Sequence, residues 1–458
     1  MKLLGRPEKE IKILRAGYKG DTATLESLKD KKHIGIYCCG ASVAGNKALV
    51  LRCLDKGANP DEGLQGSAYG GHMDIVQSML SKGADPDWGL EGAAMSGHME
   101  IVQLMLSKGA TDYNGGLEGA AWGGHMEIVQ LMLSKGATNY DKGLMCAALG
   151  GHMDIVQLLL DKGADPTRGL YRAAYGGHMD IIQLLVSKGA DPDKGLSGAA
   201  YGGHMDIVRL MLSKGADPDK GLYVAAKGGH MDIVRLLLSK GATDYNEGLS
   251  GAAEGGHMDI VRLLLFKGAD PDSGLECAAG GGHMDIVRLL LSKGATDYNE
   301  GLWWAALGGH MEIVQLLLSK GATNYDWGLK GAAEGGHMDI VQLLLDKGAT
   351  DYDSGLEIAA RGGHIAIVQL LFSKGATGYD DWLFWAAEGG HMDLVQLLLS
   401  KGATDYNRGL KGAAYGGHMD IVQLMLSKGA TDLDSALEAA ERNGHTECAE
   451  LIRAAMKK

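Results

Sequence analysis

The sequence predicts an all-α solenoid, a stack of short helix-turn-helix units, and three observations support this prediction. A Gly-His-Met tripeptide or a close variant returns at a nearly constant spacing along most of the chain. Each unit contains a small-residue segment followed by an amphipathic one, and glycines stand where both segments would end. Units this short bury their apolar faces only by stacking on neighbours, which is the architecture of repeat proteins.

The repeat period is 26 or 27 residues, measured between the histidines of successive units. Five of the fourteen intervals are 26 residues long and nine are 27. The shorter interval carries an Ala-Asp-Pro loop, and the longer one carries Ala-Thr-Asp-Tyr or Ala-Thr-Asn-Tyr. One loop residue is therefore gained or lost while the rest of the unit stays in register. The histidines are His72, His98, His125, His152, His178, His204, His230, His257, His283, His310, His337, His364, His391, His418 and His445.

The unit at residues 143–164 illustrates the two predicted helices. Its small-residue segment ends at two glycines, which favour the left-handed conformation that terminates a helix. Lys162 and Gly163 end the second helix, with the cation near the negative end of the helix dipole. The second segment places its apolar residues at the spacing of one buried helix face: Met153, Ile155, Val156, Leu159 and Leu160.

The string Gly-Leu-x-x-Ala-Ala-x-Gly-Gly-His-Met-Asp-Ile-Val-x-Leu-Leu-Leu-x-Lys-Gly-Ala resembles the ankyrin repeat, whose common form has about 33 residues and begins with Thr-Pro-Leu-His-x-Ala. Here Gly-Leu replaces Thr-Pro-Leu-His, and the segment joining the units is shorter. The resemblance implies an ankyrin-type solenoid of about sixteen repeats, with the projecting hairpin reduced to a tight loop. In style, the short units are also similar to those of ankyrin arrays in large DNA viruses.

The two ends of the chain depart from the repeat pattern, as terminal repeats do because one of their faces meets water. We expect N-terminal capping repeats at residues 1–58, an array of near-identical ankyrin-like repeats at residues 59–434, and a C-terminal capping repeat at residues 435–458. No separate second domain is indicated.

The composition excludes several classes of protein. With 45% apolar residues the chain can bury a core, which excludes wholesale disorder. No apolar run approaches the roughly 20 residues of a membrane span, and the charged first residues are unlike a secretory signal. We therefore expect a soluble protein of the cytoplasm or nucleus. The six cysteines are scattered without a CxxC pair, which indicates packed, reduced thiols.

The recurring histidines do not indicate a metal site or an active site. Packed helices lie about 8–10 Å apart, whereas zinc ligands converge to about 2.0–2.1 Å from the metal. The resemblance implies instead that each histidine bonds backbone groups at the turn between the two helices. No Ser-His-Asp, Cys-His or paired-carboxylate group stands apart from the repeat. We therefore predict a non-enzymatic protein that needs no cofactor or metal.

The repeats differ from one another at only a few positions, and these are the candidates for a specific function. Four positions vary while their surroundings barely change: the residue before Gly-Leu, the two residues after it, and the residue before Gly-Gly-His. We call these the variable positions. All seven tryptophans lie in or beside them, whereas the second helix has almost no aromatic residue. The resemblance to ankyrins implies that the variable positions line a concave face.

We therefore predict a groove that recognises another protein, from the cell or from a viral host, because aromatic residues and arginine carry much of the binding energy of protein interfaces. For any single aromatic residue, packing between repeats is an equal alternative. We expect the protein to be a monomer. The predicted partner-binding residues are Trp88, Trp122, Lys142, Arg168, Tyr171, Arg172, Tyr175, Lys194, Tyr201, Lys220, Tyr223, Lys227, Glu254, Trp303, Trp304, Trp327, Phe384 and Trp385.

Two other functions remain open. The first is a binder of nucleotides or nucleic acid, because the basic and tyrosine-rich stretch at residues 142–227 is suited to stacking bases and contacting phosphates. The net charge of −13 and the loop aspartates oppose a polyanion. The acidic stretch that follows is Glu247, Glu254, Glu276 and Glu300, and the bipolar whole fits a protein partner better than a nucleic acid. A structural array that assembles with itself is the second alternative.

Four successive units carry arginine where most second helices carry glutamine. Each of these arginines follows an aspartate by three residues, which predicts local ion pairs on a solvated face, with a docking strip for an acidic partner as the alternative. The four residues are Arg209, Arg235, Arg262 and Arg288.

Overall fold

A computed structural model describes residues 8–28, 31–375 and 378–457, and within these residues it contains 34 α-helices and no β-strand. The all-α fold class is therefore confirmed. The helices follow one another as seventeen pairs, one pair more than the sixteen counted from the sequence. Fifteen of these pairs contain a histidine of the repeat, and two degenerate pairs precede them.

The chain divides into two compact units, Met1–Thr243 and Asp244–Lys458. Unit 1 contains the helices α1 to α18. Their bounds are Glu8–Lys19 (α1), Thr22–Ser27 (α2), Lys31–Val43 (α3), Lys47–Asp55 (α4), Pro60–Gly70 (α5), Met73–Ser81 (α6), Pro86–Ser96 (α7), Met99–Ser107 (α8), Tyr113–Gly123 (α9), Met126–Lys135 (α10), Tyr140–Gly150 (α11), Met153–Asp161 (α12), Pro166–Gly176 (α13), Met179–Ser187 (α14), Pro192–Gly202 (α15), Met205–Ser213 (α16), Asp219–Lys227 (α17) and Met231–Ser239 (α18).

Unit 2 contains the helices α19 to α34, arranged as pairs of the same kind. Their bounds are Tyr245–Gly255 (α19), Met258–Phe266 (α20), Asp272–Gly280 (α21), Met284–Ser292 (α22), Tyr298–Gly308 (α23), Met311–Lys320 (α24), Tyr325–Gly335 (α25), Met338–Lys347 (α26), Tyr352–Arg361 (α27), Ile365–Ser373 (α28), Tyr379–Glu388 (α29), Met392–Ser400 (α30), Tyr406–Gly416 (α31), Met419–Lys428 (α32), Leu433–Arg442 (α33) and Thr446–Met456 (α34).

Side-chain caps start the first helix of most repeats. In α13 the carboxylate of Asp165 accepts a hydrogen bond from the amide of Thr167, and Pro166 occupies the first turn, where its missing amide hydrogen costs nothing. In α11 the side chain of Asn139 accepts from the amide of Lys142 instead. The two loop types therefore cap the same helix in two ways, and this explains how the 26- and 27-residue intervals preserve the register.

The core lies between the two helices of each repeat and the helices of its neighbours. In α12, three residues of the predicted face, Ile155, Val156 and Leu159, are buried, whereas its other two, Met153 and Leu160, are half-buried. In α11, the leucine and the paired alanines, Leu144, Ala147 and Ala148, are fully buried. Consecutive first helices pack against each other, as α13 does against α15. Small residues permit this close approach, which larger side chains at the alanine positions would prevent.

The repeat histidine joins neighbouring repeats. His152 Nε2 lies 3.0 Å from the carbonyl oxygen of Trp122, in the preceding repeat. The backbone bond expected from the sequence is therefore present, but its acceptor belongs to the neighbouring repeat rather than to the turn of the histidine itself. The bond requires the tautomer that carries its proton on Nε2. The same bond is made by His72, His178, His204, His230, His283, His310, His337, His364, His391 and His418.

An acidic or amide side chain also joins the loops of neighbouring repeats. Asp272 Oδ1 accepts from the amides of Thr296 and Asp297, at 2.6 and 2.9 Å. In another repeat Asn299 accepts from the corresponding amides of Thr323 and Asn324. The loop aspartates of the sequence therefore include residues that hold successive repeats together.

Candidate functional site

The four variable positions lie on the first helix of each repeat, on either side of its buried residues. In α11, for example, exposed Lys142 precedes buried Gly143 and Leu144. All eighteen predicted binding residues are exposed or half-buried, and none of them is buried. We call the surface formed by the variable positions of one unit its variable face.

Side chains at the variable positions meet between repeats, because consecutive first helices pack side by side. The residue after Gly-Leu in one repeat lies beside the residue before Gly-Leu in the next. Glu118 Oε1 and Lys142 Nζ, which form such a pair in unit 1, are 3.6 Å apart. Trp303 and Trp327 form the equivalent pair in unit 2, with stacked rings whose centroids are 5.9 Å apart. We call each such combination a cross-repeat pair.

The variable face of unit 1 carries tyrosines and cations. Tyr175 and Tyr201 stack across neighbouring repeats, with ring centroids 5.5 Å apart. Arg172 lies over the ring of Tyr171 at 5.8 Å from its centroid, and this distance allows a cation–π contact. Burial raises the pKa of Tyr171, and the nearby phenols add to this effect against the opposing charge of Arg172. The tyrosines therefore pack partly on each other, as the alternative in the sequence suggested.

Some cations of this face already have a partner within the protein. Lys142 pairs with Glu118, and Arg168 Nε lies 4.0 Å from Asp165 Oδ2. Lys227 lies over the ring of Tyr223, 5.8 Å from its centroid. The positive charge of residues 142–227 is thus partly compensated, which lowers their attraction for a phosphate backbone.

The variable face of unit 2 carries a group of three tryptophans. Trp303 stacks on Trp327 and meets Trp304 edge-on, with centroids 4.8 Å apart. The ring of Trp304 covers Gly280 in the preceding repeat, where an added methyl group would lie 3.4 Å from the indole. Trp304 nonetheless keeps 37% of its surface exposed. The absent side chain at Gly280 makes room for the indole and leaves its edge in solvent.

Two carboxylates form the cross-repeat pair that precedes the tryptophans along the chain. Burial raises the pKa of Glu300, and the negative charges of Glu276 and Asp297 raise it further. Within the described residues, neither Glu276 nor Glu300 forms an ion pair or a side-chain hydrogen bond. Unit 2 therefore presents two unneutralised carboxylates next to its group of tryptophans.

A second part of this face contains an open cleft of about 860 Å³ lined by Phe384 and Trp385. The two rings meet edge to face, 5.0 Å apart. Arg361 lies over the Trp385 ring at 5.6 Å and pairs with Glu388 at 3.6 Å. The lining of the cleft itself includes several carboxylates, an arginine and a lysine, so the cleft combines aromatic surface with charges of both signs, a composition typical of protein interfaces.

Three aromatic residues outside the predicted set clarify the surface. Tyr415 stands before Gly-Gly-His and is exposed. Its position in the repeat was therefore sufficient to include it among the predicted binding residues. Trp382 replaces the glycine of Gly-Leu and is buried against Phe372 and Tyr379, so it belongs to the core. Phe266 ends a second helix and is 86% exposed, away from the variable positions.

The four arginines of the second helices are exposed, but the prediction that they form local ion pairs is wrong. In unit 1, Arg209 and Arg235 form no ion pair with the aspartate three residues before them, and in unit 2 the same holds for Arg262 and Arg288, within the part of the chain that the structure describes. Arg209 instead lines a shallow notch together with Lys240. Helical spacing alone did not place the two charges at bonding distance.

The described residues offer neither a metal cluster nor a membrane-spanning helix. Across residues 8–28, 31–375 and 378–457, no three side chains of His, Cys, Asp or Glu are grouped so that they could hold a metal ion. No helix in the same ranges is both long enough and apolar enough to cross a membrane. None of the six cysteines, all of which lie in these ranges, forms a disulfide; four of them are buried and two are half-buried.

Comparison with known proteins identifies the repeat. The family model described as ankyrin repeats (3 copies) matches segments that together cover more than half of the chain: residues 90–168, 117–195, 170–248, 196–274, 249–327 and 383–457. Among solved structures, the chain is similar to the human ASB11 ankyrin repeat domain, at 24% identity over 39% of this chain and 96% of that chain, with a TM-score of 0.32. A search of curated proteins finds no match.

Proposed function

The chain belongs to the ankyrin-repeat family, and we propose that it is a scaffold that binds a partner protein through the variable faces of its two units. Ankyrin repeats generally mediate protein–protein interactions, and the family is generally non-enzymatic. In this proposal the repeated residues build the scaffold, and the residues that differ between repeats select the partner.

The observation that carries this proposal is where the exposed large apolar side chains lie. Eight such side chains are exposed in the described residues, and five of them occupy variable positions. Large aromatic residues that remain in solvent are a feature of interaction surfaces, because burying them on a partner releases much free energy. The five residues are Trp88, Trp122, Tyr201, Trp304 and Tyr415.

The surrounding backbone supports the same function. The repeat histidine holds the carbonyl of the residue before Gly-Gly-His, as His230 holds that of Tyr201 at 3.1 Å. The side chain at this position changes from repeat to repeat while its main chain stays bonded in the same way. A rigid backbone with changing side chains reduces the ordering entropy that a partner must overcome on binding.

The test is crosslinking from the variable faces. A photoreactive phenylalanine analogue replaces Trp122 in unit 1 or Trp304 in unit 2, and in a control it replaces Phe266. Each protein is irradiated in extract, and crosslinked partners are identified by mass spectrometry. We expect one partner to be captured from a variable face and not from Phe266. Capture of the same proteins from all three positions would contradict the proposal.

A second set of variants checks that capture depends on the native side chains. In unit 1, Trp122, Tyr175 and Tyr201 are changed to Ala, and in unit 2, Trp303, Trp304 and Trp327. Circular dichroism confirms that each variant is folded. If the alanine variant of one unit no longer captures the partner, the partner binds to that unit. Binding to oligonucleotides that weakens steeply with salt would favour the nucleic-acid alternative instead. A molecular mass in solution that rises with protein concentration would favour the self-assembly alternative.

A further inference from the structure

We infer that the tryptophans Trp303, Trp304 and Trp327, together with Glu276 and Glu300, bind a basic segment of the partner protein by enclosing its arginine or lysine side chains. This inference rests on the proposed function and specifies the chemistry of the partner that unit 2 recognises. We call these five residues the aromatic-acidic site.

Equivalent cross-repeat pairs carry different charges in the two units. Glu118 and Lys142 form an ion pair at 3.6 Å. Glu276 and Glu300 occupy the same two positions of the repeat in unit 2, and the negative charge of Glu276 contributes to the raised pKa of Glu300. The position that holds Lys142 in unit 1 therefore holds Glu300 in unit 2, and the pair with Glu276 brings together two negative charges. Such a pair destabilises the isolated protein and gains most from an external cation.

Two of the tryptophans share helix faces or neighbouring repeats with these carboxylates. Glu300 precedes Trp303 and Trp304 by three and four residues on α23, and this spacing places all three on one helix face. The ring of Trp304 covers Gly280, which follows Glu276 by four residues on α21. Trp303 and Trp304 therefore lie one helical turn from Glu300, and the ring of Trp304 covers a glycine one turn from Glu276. Guanidinium and ammonium groups bind best where ring faces and carboxylates occur together.

The cation on the next repeat is bound elsewhere. Lys330 follows on the next repeat, but its ammonium lies 2.9 Å from Asp351. Although burial opposes the effect, this ion pair and the hydrogen bonds from Ser354 lower the pKa of Asp351. Lys330 is therefore engaged within the protein and does not neutralise Glu276 or Glu300. The chemistry of the site favours a partner that brings its own positive charge.

The test uses a labelled twelve-residue peptide of alternating arginine and glycine as the probe, and the same peptide with glutamine in place of arginine. Binding to the full chain is measured by fluorescence anisotropy. We expect the arginine peptide to bind and the glutamine peptide to bind at least about tenfold more weakly. Equal binding of the two peptides would overturn the inference.

Variants separate the site from the overall negative charge of the chain. The pair Glu276→Gln and Glu300→Gln, and separately the pair Trp303→Ala and Trp304→Ala, are each expected to weaken binding of the arginine peptide about tenfold. The charge-matched control is the pair Glu127→Gln and Glu312→Gln, on the exposed surface of second helices. Equal weakening by this control would show attraction to net charge alone and would overturn the inference.

A third variant, Glu300→Lys, rebuilds the ion pair that Glu118 and Lys142 form. We expect it to raise the melting temperature and to abolish binding of the arginine peptide. Unchanged binding by this variant would contradict the inference even where the alanine variants fold poorly.

The partner identified by crosslinking distinguishes this inference from the proposed function. If the partner is lost with Trp303→Ala and Trp304→Ala but kept with Glu276→Gln and Glu300→Gln, the scaffold function stands and the cationic chemistry is wrong. If the partner is kept in both, unit 2 is not its binding surface and the proposed function fails for that unit.

Discussion

The imidazole of His152 and the backbone of Trp122 meet across two repeats, with Nε2 3.0 Å from the carbonyl oxygen. The indole of Trp122 remains 40% exposed. One residue therefore serves the scaffold through its main chain and remains available for recognition through its side chain. This division allows the side chain at a variable position to change without disturbing the contact between repeats.

Removing the imidazole of His152 should destabilise the protein. The variant His152→Ala leaves the carbonyl of Trp122 without its partner, and we expect the free energy of unfolding to fall by about 1–3 kcal/mol. The matched control Trp122→Ala keeps the carbonyl and should cost less. Urea unfolding followed by circular dichroism compares the two. A larger loss in Trp122→Ala would mean that the indole, and not the bond, joins the repeats.

Two glycines of one repeat should respond differently to alanine. Both have positive φ, but a methyl group at Gly151 would lie 2.6 Å from the ring of His178, whereas at Gly163 nothing lies within 4 Å. We expect Gly163→Ala to cost about 1–2 kcal/mol from backbone strain alone. Gly151→Ala should cost about 1–3 kcal/mol more, because the histidine must move. Equal midpoints in thermal unfolding would contradict this expectation.

At Asp272, substitution by asparagine should preserve stability, whereas substitution by alanine should lower it. In Asp272→Ala the amides of Thr296 and Asp297 lose their acceptor, and we expect a loss of about 1–2 kcal/mol in the free energy of unfolding. Asp272→Asn keeps the acceptor oxygen, as Asn299 does in another repeat, and should stay within about 0.5 kcal/mol of the parent. Chemical denaturation measures both. A similar loss in the two variants would show that charge, and not the bond, matters here.

Glu300 should make the stability of the protein depend on pH. Its pKa is raised in the folded protein by burial and by Glu276 and Asp297, so the folded state binds a proton more readily than the unfolded chain. Its charge therefore opposes folding at neutral pH, and this penalty fades as the pH falls through the raised folded pKa towards the unfolded value of about 4.3.

The variant Glu300→Gln checks this dependence. We expect it to be more stable than the parent at about pH 7 and to show no advantage below about pH 4. Thermal melting across this range measures the difference between the two proteins. The exposed charge-matched variant Glu312→Gln should show no such trend, and an advantage of Glu300→Gln that grew on acidification would be the opposite of the expected sign.

The stacked tyrosines of unit 1 should be coupled. A double-mutant cycle with Tyr175→Ala and Tyr201→Ala is expected to give a coupling free energy of about 0.5–1.5 kcal/mol, the usual range for aromatic pairs. Unfolding midpoints of the four proteins provide the measurement. A coupling near zero would mean that the two rings contact each other without joining their repeats.

The helices could be predicted from the sequence because each depends on local chemistry. The apolar spacing that predicted Ile155, Val156 and Leu159 as buried depends only on helical periodicity. The start of α11 at Tyr140 was not predicted, because the small-residue segment marks the buried part of this helix and not its cap, Asn139. Local signals therefore identify a helix more readily than its first turn.

The contacts between repeats could not be predicted in the same way. Equivalent positions are predictable from the period, but whether they hold an ion pair, as Glu118 and Lys142 do, depends on the side chains that stacking brings together. The i,i+3 spacing of Arg209 and Asp206 was compatible with a bond that the structure lacks. Spacing defines which residues are neighbours, while side-chain rotamers decide whether they touch.

The bonds of the histidines and of the loop amides have a common direction within each unit. The donor belongs to the later repeat and the acceptor to the earlier one, as in His178 to Leu149 and Asp217 to Asp193. During translation the earlier repeat emerges from the ribosome first. Each newly synthesised repeat therefore meets a finished template that already offers its oxygens, and the chain can assemble in the order in which it is translated, without waiting for its C-terminus.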